Sequence, residues 1–95
     1  MDPNPEVNEM YEIIGDVFIK PKKAYTYYIT NTSIGEWYHD DNIPIKCNIF
    51  KDEKGYNSIT IKWDNPMSGQ FDIWFGDKNK EQAKYKKTIV VESLF

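Results

Sequence analysis

The sequence predicts an all-β fold, an antiparallel β-sandwich of about seven short strands. Three observations support this prediction. Apolar and polar residues alternate in several short segments, as they do in strands that bury one face. Turn-forming residues separate these segments at spacings of about ten residues. The segment with the most helical composition, residues 76–87, has no apolar stripe with which to pack, so it predicts a hairpin loop or a short turn.

The predicted strands follow one another along the chain. Residues 12–20 form an interrupted edge strand, because Gly15 allows a bend or a bulge between two short apolar runs. The last strand, residues 86–95, is apolar enough on both faces to be covered on both. The strands between them are predicted at residues 24–30, 35–40, 44–50, 58–63 and 71–75. The turns are predicted at residues 21–23, 40–42, 52–55, 64–69 and 76–79.

The length and the N-terminus predict one domain with a short leading segment. The chain has 95 residues, of which 40% are hydrophobic and 16% aromatic, which is enough for a single core. Residues 11–95 are assigned to this domain. Residues 1–10 contain Asp-Pro-Asn-Pro after Met1 and are expected to be a linker or a tag-like segment of a domain taken from a longer protein.

The alternation also separates core residues from outward-facing ones. The residues predicted to form the core are Trp37, Tyr27, Ile59, Ile61, Phe71 and Ile73. Three aromatic residues point to the opposite side of their strands, away from the predicted core: Tyr28, Tyr38 and Trp74. Exposed planar rings are what sugar-binding sandwiches stack against, so these three are the candidate ligand-binding residues.

Residues 35–40, GEWYHD, raise the question of catalysis, because they contain the one histidine of the chain, His39. A catalytic histidine needs a nucleophile and an orienting carboxylate, and a zinc site needs three or four nitrogen or sulfur ligands. The chain offers one His and one Cys. Cys47 lies in an apolar strand, and because it is the only cysteine it cannot form an intrachain disulfide. We therefore expect a core tryptophan that runs into an acidic turn, in a protein that is not an enzyme.

A calcium site is the alternative for the acidic turn at residues 40–42. Its oxygens are of the type that calcium prefers, with further ligands available at residues 52–53 or 64–65. The sequence lacks the D-x-D-x-D-G spacing, however, and acidic turns are usually solvated. We expect no bound metal and no cofactor.

The charge pattern argues against nucleic acid as a partner. The net charge is −3, and all twelve cationic residues are lysines, so no arginine is present to make bidentate contacts with phosphate or guanine. No stretch approaches the ~18 apolar residues of a membrane span. The expected partners therefore include neither nucleic acid nor a membrane.

Short motifs along residues 11–95 resemble the immunoglobulin-like and PKD-like sandwich modules of bacterial surface proteins and bacteriophage structural proteins. These motifs are I-x-G-x-x-x-I-K-P at residues 13–21, Y-T-Y at 25–27, G-x-W at 35–37, G-x-N-S-I-T-I-K-W at 55–63, S-G-x-F-D-I at 68–73 and T-I-V-V-E-S-L-F at 88–95. The resemblance implies an immunoglobulin-like sandwich. The last motif is similar to the closing strand of the terminal immunoglobulin-like domains of phage tail, neck and capsid proteins.

The function that this resemblance implies is a non-catalytic accessory module on a virion surface. Its partners would be other domains of the phage structural protein and, through weak adhesion, glycans of the host surface or of mucus. One alternative is a stalk or adhesin module of a bacterial surface protein, located on the cell surface or secreted. A second is a small phage-encoded inhibitor of a host enzyme, since an acidic β protein can cover a basic surface.

Overall fold

The computed structural model describes residues 12–29, 35–51, 57–76, 79–83 and 85–93 and contains eight strands in these ranges. The strands are β1 (Ile13–Ile14), β2 (Phe18–Ile19), β3 (Ala24–Ile29), β4 (Glu36–His39), β5 (Ile45–Lys51), β6 (Asn57–Trp63), β7 (Gly69–Gly76) and β8 (Tyr85–Val91). The all-β prediction is confirmed. The predicted linker, residues 1–10, and the predicted turn at residues 52–55 lie outside the described residues.

The strands form two four-stranded sheets that enclose a common core. Sheet A has the order β1-β3-β6-β5, and sheet B has the order β2-β8-β7-β4. All pairs are antiparallel except β2–β8, which is parallel. The arrangement is β-sandwich-like. The prediction of a wholly antiparallel structure is wrong for one pair, since β2 runs in the same direction as β8.

The first predicted strand divides between the two sheets. β1 pairs with β3 in sheet A, and β2 pairs with β8 in sheet B, so the chain crosses from one sheet to the other between them. Gly15, with φ 154°, lies at this crossing. The Tyr27 hydroxyl donates a hydrogen bond of 2.7 Å to the carbonyl of Asp16. Burial, reinforced by the nearby Asp16 carboxylate, raises the pKa of this phenol above its usual range, so it stays neutral.

The core lies between the sheets and consists of the side chains on the inward side of each strand. Its buried hydrophobic residues are Ile13, Ile19, Tyr27, Ile29, Trp37, Ile59, Ile61, Trp63, Phe71, Ile73, Phe75, Ile89 and Val91. All six predicted core residues are among them. Trp63 stacks on Phe71 at 5.5 Å between ring centroids, and its Nε1 donates to the carbonyl of Met67. Aromatic rings thus fill much of the space between the sheets, as the composition predicts.

The last strand is shorter and less covered than predicted. β8 ends at Val91, and residues 94–95 lie outside the described residues. On its outer face Thr88 is exposed and Val90 is half-buried. The two-sided burial expected from the apolar run is therefore wrong on the outer face of sheet B, where Phe18 of β2 is the neighbour of Val90 and is itself 64% exposed.

The connection between β7 and β8 contains a short 3-10 helix, Lys80–Gln82. Asn79 caps it, because its Oδ1 accepts the N–H of Gln82 at 2.8 Å. This agrees with the expectation of a turn in residues 76–87. In the part of the chain that the structure describes, no helix is long and apolar enough to cross a membrane.

An ion cluster joins three segments at one end of the molecule. Asp64 lies 3.1 Å from the ammonium of Lys22 and 3.5 Å from that of Lys46. Lys22 has a positive φ of 68°, and its backbone N–H donates to the carbonyl of Trp63. The hydrogen bond from Lys22, and then the positive charge of that ammonium, lower the pKa of the Asp64 carboxyl.

We expect Lys22→Met to raise the pKa of Asp64 towards that of a free aspartate. The ion pair favours the charged carboxylate, so its stabilising contribution is present at neutral pH and is lost as the pH falls through the pKa in the folded state. A titration of the carboxyl carbon by NMR measures this directly. Lys20→Met is the control, because Lys20 pairs with Glu92. An unchanged pKa in Lys22→Met would contradict the assignment.

Candidate functional site

The candidate site is built around two of the three predicted ligand-binding rings. Tyr38 of β4 and Trp74 of β7 are direct cross-strand partners in sheet B. Both face away from the core and are half-buried, whereas Trp37 and Phe75, their chain neighbours, are buried. The short distance between facing side chains in an antiparallel pair makes the two rings one surface. We call this surface the Tyr38–Trp74 pair.

The third ring lies on the other sheet. Tyr28 belongs to β3, faces outward from sheet A and is 41% exposed. It is therefore on the opposite side of the molecule from the Tyr38–Trp74 pair. Strand parity correctly indicates that Tyr28 faces away from the core, but parity carries no information about which sheet a strand joins.

Two lysines accompany the Trp74 ring. The ammonium of Lys80 lies 5.2 Å from the ring centroid, and that of Lys86 lies 5.9 Å from it, both within cation–π range. Each lysine is also near a carboxylate, with Lys86 at 3.7 Å from Asp72 and Lys80 at 3.9 Å from Asp41. Each ammonium group near Trp74 therefore has a carboxylate within 4 Å.

A solvent-open cleft lies beside Tyr38, between β4 and the start of the 3-10 helix. It has a volume of about 440 Å³. The residues that line it are Trp37, Tyr38, His39, Asp41, Asn79, Lys80 and Glu81. An aromatic edge next to amide, carboxylate and ammonium groups can hold a small polar ligand by stacking and hydrogen bonds. Sequence reasoning missed the wall formed by residues 79–81, because nothing in a polar loop indicates which strand it will lie against.

His39 contacts the backbone at the end of β4. Its Nδ1 lies 2.8 Å from the carbonyl oxygen of Asp40. The carboxylate of Asp40 accepts the backbone N–H of Asp72 at 2.8 Å, which fastens the end of β4 to β7.

Several of the carboxylates proposed as calcium ligands have partners within the protein. Asp40 bonds to the backbone of Asp72, Asp41 lies near Lys80, and Asp64 pairs with two lysines. Among the described residues, no group of three His, Cys, Asp or Glu side chains is placed to hold a metal ion. Asp52 and Glu53, the other proposed ligands, lie outside the described residues.

Comparison of the sequence with protein-family models and with curated proteins finds no match.

Proposed function

We propose that this domain is a non-catalytic, immunoglobulin-like binding module that holds a neutral saccharide at the Tyr38–Trp74 pair. The observation that carries the proposal is that Tyr38 and Trp74 are cross-strand partners on the outer face of sheet B and that Tyr38 also lines a polar cleft. A sugar ring has an apolar C–H face and a rim of hydroxyl groups. The aromatic rings suit the C–H face, and the side chains of Asp41, Asn79 and Glu81 suit the hydroxyl groups.

The charges around the site favour a neutral ligand over an anionic one. Lys80 and Lys86 are each close to a carboxylate, and Glu81 adds a further negative charge to the cleft. An anionic ligand would be attracted by the lysines and repelled by these carboxylates, so little net attraction would remain. Hydroxyl groups, in contrast, can donate to carboxylates and accept from ammonium groups.

The expected affinity of one copy is weak. Burial of ring area at ~25 cal/mol/Å² gives about 1 kcal/mol for each half-buried ring. A sugar that stacks on Trp74 also has to displace a lysine, at a cost of about 0.5–1 kcal/mol per cation–π contact. These ring contributions are small, so even with hydrogen bonds to the hydroxyl groups added, we expect a dissociation constant for one copy between roughly micromolar and millimolar, and useful adhesion requires many copies.

The proposed setting is a bacteriophage virion, where a structural protein displays the module in many copies. Its support is the resemblance of residues 13–21, 55–63 and 88–95 to phage immunoglobulin-like modules. The need for multivalent display agrees with that setting, and also with the alternative of an adhesin module on a bacterial surface.

A glycan-binding assay with the domain coupled to beads in many copies tests the proposal. We expect Tyr38→Ala with Trp74→Ala to weaken monovalent binding by about 5- to 12-fold, because the loss of about 1 kcal/mol for each ring is offset in part by the lysine that no longer has to be displaced, and to abolish retention on the glycan surface. Tyr28→Ala is the matched control, since it removes an exposed ring from the other sheet, and it should bind like the wild type. Equal binding by the double variant and the wild type would remove the Tyr38–Trp74 pair as the site.

A further inference from the structure

The far edge of β5 is the longest unpaired strand edge in the described part of the chain. β5 is an outer strand of sheet A and spans seven residues, whereas the other outer strands, β1, β2 and β4, span two, two and four. Proteins usually keep such edges short, because their free N–H and C=O groups pair readily with another strand. β5 also carries Ile49 and Phe50, which are 57% and 63% exposed.

One hydrogen bond determines which backbone groups of β5 point outward. The N–H of Asp64 donates to the carbonyl of Pro44 at 2.7 Å, one step beyond the Ile45–Trp63 pair. In an antiparallel ladder, pairs that exchange hydrogen bonds alternate with pairs that do not. The even-numbered residues of β5 therefore bond to β6, and the odd-numbered ones turn their backbone groups outward. The outward residues are Ile45, Cys47, Ile49 and Lys51.

We propose that β5 pairs antiparallel with β5 of a second copy of this chain, about a two-fold axis at Asn48. The two A sheets then join into one continuous eight-stranded sheet. Asn48 faces its own counterpart, Cys47 faces Ile49, Lys46 faces Phe50, and Ile45 faces Lys51. This surface lies on the other sheet from the Tyr38–Trp74 pair, so the inference does not depend on the proposed saccharide site.

Two properties of this register favour a second copy as the partner: every residue of β5 is paired, and the side chains that face each other are compatible. The register centred on Asn48 pairs all seven residues, while a centre one residue to either side leaves two residues of each strand without a partner in the other strand. No lysine faces a lysine, and the aliphatic stem of Lys46 covers the exposed ring of Phe50. About six backbone hydrogen bonds can form, because the N–H of Ile45 already donates to the carbonyl of Ile43.

Sedimentation of the wild-type chain under reducing conditions is the first test. We expect a dimer whose fraction rises with concentration. Asn48→Lys places two lysines opposite each other at the axis and should weaken the dimer at least about fivefold. Thr26→Lys is the control, since Thr26 is exposed on the same face of sheet A but lies two strands from β5, and it should dimerise like the wild type. A monomer up to millimolar concentration, or equal weakening in both variants, would overturn the proposal.

Cross-linking is the second test, and it reports the register. At the axis, Asn48 and its counterpart form a pair without mutual backbone hydrogen bonds, with Cα atoms about 4.5 Å apart, which is within reach of a disulfide. In a Cys47→Ser background, Asn48→Cys should give a disulfide-linked dimer on mild oxidation, and Thr26→Cys should not. A dimer that forms without this cross-link uses another surface, and that result would refute pairing at β5.

Discussion

We expect Trp37→Ala to lower the free energy of unfolding by about 3–5 kcal/mol, the range for truncation of a large buried aromatic residue. Trp37 is 6% exposed and packs edge-to-face on Phe75, with ring centroids 5.0 Å apart. A domain of this size has roughly 5–10 kcal/mol of stability, so the variant keeps only about 0–7 kcal/mol and should melt well below the wild type.

Denaturant unfolding of two further variants tests whether the loss comes from the buried ring of Trp37. Trp74→Ala removes the same ring from the outer face of the neighbouring strand and should cost less than about 1.5 kcal/mol. Trp37→Phe keeps an aromatic ring in the core and removes an indole N–H that has no hydrogen-bond partner in the described structure. It should therefore cost less than Trp37→Ala, because an unpaired buried N–H is itself unfavourable. Similar losses for Trp37→Ala and Trp74→Ala would contradict the role of Trp37 in the core.

The second large effect is expected for Gly15→Ala, with a loss of about 2–4 kcal/mol. A Cβ atom at Gly15 would overlap the ring of Tyr27, which is fully buried and fixed by its hydrogen bond to Asp16. Overpacking of a rigid core typically costs about 1–3 kcal/mol. The φ of 154° adds backbone strain, since residues with a side chain rarely adopt it.

A double-mutant cycle tests the stated cause of that loss. If the overlap with the ring is responsible, Gly15→Ala should cost much less in a Tyr27→Val background, where the side chain no longer reaches Gly15. The free energies come from denaturant unfolding of the four proteins. An equal cost in both backgrounds would mean that backbone strain alone explains the effect, and that the contact with Tyr27 is unimportant.

The sequence alone determined the all-β class and, for the central strands, the side that is buried. Alternation in residues 58–63 and 71–75 places Ile59, Ile61, Phe71 and Ile73 in the core, because successive side chains of a pleated strand point to opposite faces. The same local rule places Trp37 inside and Tyr38 outside. Local geometry is sufficient for these assignments, since each depends only on neighbours within the same strand.

The tertiary structure alone decided which strands meet. It divides residues 12–20 between two sheets at Gly15, makes β2 parallel to β8, sets Tyr38 opposite Trp74 and leaves Tyr28 on the other sheet. It also brings residues 79–81 to the cleft and leaves β5 at an edge. These are contacts between residues far apart in the chain. They depend on how two sheets close over one core, and the alternation within a single strand is the same whichever neighbour that strand finds.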